Sequence, residues 1–343
     1  MKTKAALLVE QKKPLVLDEV ELPALGYGQV LVQVKVSRIC GSQIGEIDGV
    51  KGPDKFLPHL LGHEGGGVVV ETGPEVSRMR AGDRVVLHWR EAKGIQSRPP
   101  KYTWNGAVAH AGYVTTFNEY AVVSENRLTV IPSDVDFETA ALMADTLTTG
   151  FGVINNDAQL KIGESVVVIG CGGIGLGVIL GARLAGACPL IAVDLFPHKL
   201  ETALRVGATH AVNSKEADFA EKVREILDGK LADVVIDGTG QPAVLEKALA
   251  LTATPGRCVG FGVMPQDRKL SLHTLQLHMG KILTGSHGGS SRPDEDIPRY
   301  LRMMKHHLFH TKDFVSHRLP LEQINTGIEK MRSGEVIHAM IHF

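Results

Sequence analysis

Cys40 stands in "SRICGSQIG", His63 and Glu64 open "GHEGGGVVVETG", and Asp145 lies in "LMADTLTTG". Thiolate, imidazole and carboxylate are the ligand types of zinc, and three protein ligands with one open position make a catalytic site. Cys40, His63 and Asp145 are therefore a candidate ligand set, with Glu64 orienting the site or visiting the metal. Their wide separation makes spacing alone a weak signal, since a lone histidine at a strand mouth is more often an ordinary core residue. The valines after the glycines suit a half-buried strand. Gly65, Gly66 and Gly67 are expected to let a neighbouring backbone come close.

A second constellation follows the apolar run "SVVVIG". Gly170, Gly172 and Gly175, with Gly173 and Ile174 between them, give G-x-G-x-x-G at the opening of a helix. The first glycine permits a tight turn, the second close approach of a pyrophosphate, and the third packing of helix on strand. The helix N-terminus offers free N–H groups to the phosphates. Asp194 ends the next strand, 19 residues after Gly175. It is placed to accept from the adenosine ribose hydroxyls, and an acid there favours NAD over NADP. Lys199 is near enough in sequence to touch the ribose.

These residues need elements to hold them. Up to about residue 130 the chain is rich in β-branched residues, glycine and proline. "QVLVQVKVS" alternates like a half-buried strand. "GDRVVLHW" and "FNEYAVVSE" read as further short strands, and helix-length periodicity is scarce, which predicts an irregular β-barrel. From about Ala140 the texture changes. "SVVVIG", "PLIAVD", "THAVN", "ADVVIDGTG", "GRCVGFG" and "KILTGS" alternate with helical segments, the pattern of a doubly wound parallel sheet. A helix "DIPRYLRMMKHHL", a second near "LEQINTGIEKMRSG" and a closing strand "VIHAMIHF" end the chain. The histidines of "KHHLFH" are expected on the solvated face of the first of these helices.

A chain of 343 residues with 43% apolar content suits two domains with real cores. Its formal charge of −1 carries no nucleic-acid footprint. The four cysteines, Cys40, Cys171, Cys188 and Cys258, form no C-x-x-C pair, which predicts a reducing, cytoplasmic setting. The apolar run near the start is too short for a secretory core, and no stretch is long enough to span a membrane.

The G-H-E segment resembles the G-H-E-x-x-G signature of the zinc-dependent alcohol dehydrogenases, in the medium-chain dehydrogenase/reductase superfamily. Cys40-Gly41-Ser42, "TTGFGV", "GCGGIG", "AVD" and the tail "SGEVIHAMIHF" carry the resemblance, in the family's order, over nearly the whole chain. It implies an α/β protein with a GroES-like barrel domain from residues 1–146 and 288–343 and a Rossmann domain from residues 147–287. It also implies reversible oxidation of an alcohol to a carbonyl, with zinc polarising the substrate oxygen and NAD taking the hydride. Asp145 stands where many relatives have a second cysteine ligand. Ser42 would take the hydroxyl proton. Thr149 and Ile174 would lie against the nicotinamide, and Val263 and His338 complete the cofactor set. His338 stands where relatives often have an arginine directed at the pyrophosphate. Trp89, Phe117 and His287 are the candidate substrate contacts, and His88, Arg90 and Gln43 the candidate rim. So polar a rim suits a secondary or polyol-like alcohol better than ethanol.

The departures from the family are specific. Arg90–Val114 has no cysteine, so one zinc per chain is expected and no structural zinc. Gln43 replaces an acid after the serine, and Gly45 replaces a proton-relay histidine. A homodimer or homotetramer is expected, built through the nucleotide-domain sheet near "GRCVGFGVM". The runner-up reading is a zinc-free quinone or enone reductase on the same scaffold. A non-catalytic nucleotide-binding protein of this fold is the reading from another class.

Overall fold

The computed structural model describes all residues from Met1 to Phe343. The chain divides into two compact units, Met1–Asp145 with Arg292–Phe343, and Thr146–Ser291. The second unit runs past residue 287 because the turn Gly288–Ser290 packs into it. A Cβ on Gly289 would stand 2.4 Å from Thr149 O, and Asn156 Nδ2 donates to Gly289 O at 2.9 Å. No helix is long and apolar enough to cross a membrane.

The first unit is built on two sheets. The larger runs Leu128–Val130, Arg84–His88, Glu64–Thr72, Gln29–Arg38, Ala339–His342 and His317–Pro320, with Tyr120–Ser124 also paired to Gln29–Arg38. The smaller joins Lys2–Leu8 to His59–Leu60 and Val16–Glu21, and continues into the hairpin Tyr102–Trp104 and Ala107–Ala109. Val30, Val32, Val34, Val69, Val85 and Leu87 alternate inward from the large sheet to form one core. The alternation legible in "QVLVQVKVS" marks this inward face, but the strand is not half-exposed as expected: Gln29, Leu31 and Ser37 on the other face are buried too, and only Gln33 and Lys35 are partly open.

Register sets the ends of these strands. Gln29–Arg38 pairs antiparallel with Glu64–Thr72, with Ser37 opposite Gly65. The chain therefore leaves the first strand toward Cys40 at the same sheet edge where it enters the second through His63. Gly66 then admits a helix: a Cβ there would lie 2.8 Å from both Ala140 Cβ and Phe137 O. That helix, Phe137–Ala144, is capped by Asp136, whose side chain accepts from Thr139 N at 2.8 Å. Asp145 is the residue that follows it.

In the second unit six parallel strands lie in the order His210–Asn213, Leu190–Asp194, Val166–Ile169, Ala232–Asp237, Thr252–Gly260, Lys281–Gly285. In chain order this is 3-2-1-4-5-6, the doubly wound arrangement, with the reversal beside the first strand. Val167, Ile169, Ile191, Val193 and Val235 pack one sheet face against Phe219, Val223, Leu245 and Leu249 of two helices.

Two sequence expectations need correction. A helix, Gly41–Ile47, follows Cys40 within the part read as an irregular β-barrel with scarce helix. It is one short amphipathic stretch burying Gln43 and Ile47, too brief for its period to show. The other concerns "KHHLFH": the helix Pro293–Lys305 stops before those histidines, and His307 has a φ of 59°, outside the right-handed helical region.

Candidate active site

Cys40, His63, Glu64 and Asp145 each offer one ligand atom, and these four atoms lie within 4.8 Å of one another. Tetrahedral ligands about 2.0–2.3 Å from a shared zinc ion stand about 3.3–3.8 Å apart, so a donor set of these types within 4.8 Å of one another needs only a small inward adjustment of its side chains to hold that metal. Cys40, Glu64 and Asp145 are buried, while the His63 side chain keeps 16% exposure. Ser42, in the first turn of Gly41–Ile47, places Oγ 3.3 Å from Cys40 Sγ and 3.4 Å from His63 Nε2.

Partners around the cluster restrain it. Trp89 Nε1 donates to Asp145 Oδ1 at 3.0 Å, so the tryptophan anchors a candidate ligand as well as lining a cleft. Arg38 Nε donates to Glu64 Oε2 at 2.7 Å, both side chains being almost fully enclosed. Burial works against the charge on Arg38, but Glu64, together with Cys40 and Asp145, more than offsets it and raises the guanidinium pKa. Burial raises the pKa of Glu64, and Arg38 opposes that rise. The second face of Arg38 meets His338: Nη1 donates to Nδ1 at 3.0 Å. Ser37 Oγ lies 3.1 Å from Glu64 O, to which it donates, and 2.7 Å from Thr116 Oγ1, whose hydroxyl can donate in return, so it ties the strands Gln29–Arg38 and Glu64–Thr72 together.

Several predicted contacts fall elsewhere. His338 is fully buried beside Arg38 and against the Phe314 ring, with its pKa held well below the usual range by burial and by Arg38. Pairing of Met340 with Arg38 puts it there, and such an enclosed ring is no pyrophosphate contact. Phe117 is core, packed with Leu8, Ile39 and Leu61, and does not line the cleft. His88 is buried, with Nδ1 donating to Arg90 O at 2.7 Å and Nε2 accepting from Thr129 Oγ1 at 2.9 Å. Burial pushes its pKa down to about 4, so it is a neutral structural group. His287 is an exposed residue of the second unit. Gln43 does line the cleft, and its enclosed Oε1 has no hydrogen-bond partner.

Arg38 and the Trp89–Asp145 bond had not been read from sequence. The arginine carried a signal: a cation two residues before a ligand, at the end of an otherwise buried strand, needs a buried partner.

The glycine turn of the second unit follows Val166–Ile169. Gly170 has a φ of 94°, and a Cβ on Gly175 would lie 1.9 Å from Gly170 O. At Gly172, which precedes the helix Gly173–Leu184, nothing stands within 4 Å of an added Cβ, so a ligand has room against the backbone. Asp194 Oδ2 accepts from Cys171 N at 2.7 Å and Oδ1 from Phe196 N at 3.0 Å, fixing the acid beside the turn. Lys199 and Lys215 each hold Nζ 4.6 Å from the Phe196 ring centre. Ile174 is half-buried in the first turn of the helix, Thr149 is buried in Thr146–Gly152, and Val263 is exposed.

Comparison with known proteins agrees with this geometry. The model described as alcohol dehydrogenase GroES-like domain matches residues 26–133, and that described as zinc-binding dehydrogenase matches residues 173–306. An alcohol dehydrogenase class-3 from Cereibacter sphaeroides is 32% identical over the whole of both chains. An S-(hydroxymethyl)glutathione dehydrogenase from Paracoccus denitrificans is 31% identical, over 99% of this chain and 100% of the other. Among solved structures, a 2R,3R-butanediol dehydrogenase from Bacillus subtilis superposes with a TM-score of 0.81 at 27% identity, over 99% of both chains.

Proposed function

The chain belongs to the zinc-dependent alcohol dehydrogenases of the medium-chain dehydrogenase/reductase superfamily, and from that premise we propose that it interconverts a secondary or polyol-like alcohol and its carbonyl, using one zinc ion and NAD. The convergence of Cys40, His63, Glu64 and Asp145 carries this reading. Bound there, zinc supplies the Lewis acidity that lowers the pKa of an alcohol hydroxyl. NAD, at the turn Gly170–Gly175 with Asp194 on its ribose, supplies the hydride acceptor. Cys40, His63 and Asp145 are the ligands, and Trp89 fixes the Asp145 carboxylate. Glu64, held by Arg38, orients the site from beside the ligands. Ser42 takes the hydroxyl proton. Because Ser42 is exposed and residue 45 is glycine, the proton passes to water in the cleft rather than to a relay histidine. Thr149 and Ile174 flank the nicotinamide.

A second hydroxyl on the substrate would donate to the unpartnered Gln43 Oε1, which supports a polyol-like substrate. The diol named for the Bacillus subtilis relative supports the same class. One zinc per chain is supported by the absence of thiols in Arg90–Val114, where a loop and the hairpin Tyr102–Ala109 fill the segment. A homo-oligomer is supported by the strand Lys281–Gly285, which pairs only on one side and carries exposed Ile282 near exposed Leu275 and Met279.

Metal analysis, NADH titration and light scattering, with oxidation of butane-2,3-diol and ethanol, test the reading. The expected result is about one zinc per chain, NADH binding, an oligomer, and faster turnover of the diol. A zinc-free protein that reduces quinones and oxidises no alcohol would overturn it.

A further inference from the structure

We propose that the alcohol oxidised by this protein carries an anionic group, a carboxylate or a phosphate, and that Arg127 receives it; this rests on the alcohol dehydrogenase reading above. A cleft of about 950 Å³ in the first unit is lined by His63 and Trp89 of the metal centre and also by Tyr113 and Arg127. That is the upper end of the range for small-molecule sites, and more than a short alcohol needs. Arg127 closes the short turn Glu125–Arg127 and is only 6% exposed. Its Nη2 donates to Gln96 Oε1 at 3.1 Å, and its guanidinium lies 5.0 Å from the Tyr113 ring centre. Nη1 is enclosed and makes no hydrogen bond. The nearest carboxylate oxygen, Glu91 Oε2, stands 4.0 Å away on a side chain that is 72% exposed.

An enclosed cation is costly unless an anion and its hydrogen bonds compensate. Here burial works against the charge, Glu91 restores part of it, and Arg90 adds repulsion, so the Arg127 pKa is lowered. The rest of the lining has the same sign: Lys51, Lys55, Arg98 and Lys101 face two acids, Glu46 and Asp54, and Asp54 is already engaged by His59 at 2.7 Å. A cleft of one predominant sign concentrates anions. A guanidinium fork with a free donor matches carboxylate and phosphate oxygens better than it matches a neutral hydroxyl. The reacting hydroxyl then lies at His63 and Ser42, and the anionic group at Arg127.

The test is kcat/KM for straight-chain ω-hydroxycarboxylates of increasing length, each against the diol of equal length, and for glycerol 3-phosphate against glycerol. The first series reads a carboxylate, the second a phosphate, and the length series covers the span from hydroxyl to charge. In the wild type the best anionic substrate should exceed its neutral match by about tenfold or more, the size of one charge-assisted hydrogen bond. Arg127→Met should bring that ratio to about one, while Arg127→Lys, which keeps the charge but loses the fork, should retain part of it. Zinc content and thermal melting check that each variant is folded; if Arg127→Met does not fold, Arg127→Lys carries the test. A merely structural arginine would lower both members of a pair together. Alcohol oxidation with no anionic preference, or a preference unchanged in both variants, would overturn the proposal while leaving the alcohol dehydrogenase reading intact. Failure to oxidise any alcohol would overturn both.

Discussion

Gly66 sits in a glycine-rich run inside the strand Glu64–Thr72 and Gly172 in one just after the strand Val166–Ile169, yet a side chain would meet opposite surroundings at the two positions. At Gly66 the helix Phe137–Ala144 already fills the place of a Cβ, 2.8 Å from Ala140 Cβ. At Gly172 nothing stands within 4 Å. One glycine lets the protein close on itself so that His63 and Asp145 meet; the other leaves space for a ligand. The two acids differ in the same sense. Glu64 is held by a buried arginine side chain, and Asp194 by two backbone N–H groups. The half with the candidate metal cluster is held together there by side-chain packing, and the half with the glycine turn leaves its backbone open.

The comparison can be broken most severely at the metal. His63→Ala should lose zinc and lower turnover by about three powers of ten or more, or about 4 kcal/mol at the transition state. NADH affinity should stay within about twofold. Metal analysis, NADH titration and steady-state rates on one preparation check this; retained zinc with near-normal turnover would make the loop merely structural. Next in size is Arg38→Met. Removing one member of a buried ion pair costs about 3–5 kcal/mol. Denaturant melts should show that loss, and adding Glu64→Gln should recover part of it. Equal stability of the single and double variants would show that the pair is not coupled.

The glycines themselves sharpen the contrast. Gly66→Val should cost about 1–3 kcal/mol of stability through overpacking while NADH still binds. Gly172→Val should leave the melting temperature nearly unchanged and weaken NADH by about tenfold or more, since the new side chain occupies the room left for the pyrophosphate. If both variants lose stability equally, the two runs are not used differently. The smallest expected effect is at Asp194. Asp194→Gly should raise the ratio of NADP to NAD use by about tenfold, because the repelling acid is gone and Lys199 and Lys215 remain close by. A wild type that already prefers NADP would contradict the role given to Asp194.

Legibility followed the range of the interactions. The alternating strand at Gln29–Ser37 and the six apolar runs after residue 160 were readable because burial on one or both faces writes a period into the sequence. The glycine turn with its acid was readable because close backbone approach admits few residue types. The helix Gly41–Ile47 was not, since two turns hold too few positions to display a period. Phe117 and His338 were placed by family position and His88 as a rim candidate, and each is a buried residue with at least one neighbour from a distant segment. Arg127 gave no signal, as a lone cation in a short turn ordinarily faces water.

The sequence by itself determined the residue types of the metal set, the dinucleotide turn and the division into a barrel-like and a doubly wound part, because each is a local chemical or periodic constraint. Only the tertiary structure decided that Arg38 grips Glu64 and that Trp89 anchors Asp145. It alone also decided that His338 lies beside Arg38 behind the candidate metal cluster, and that an enclosed arginine lines the same cleft as His63 and Trp89. Those depend on strand register and on one helix seated over Gly66, and a shift of one residue in either would turn the same side chains to other neighbours.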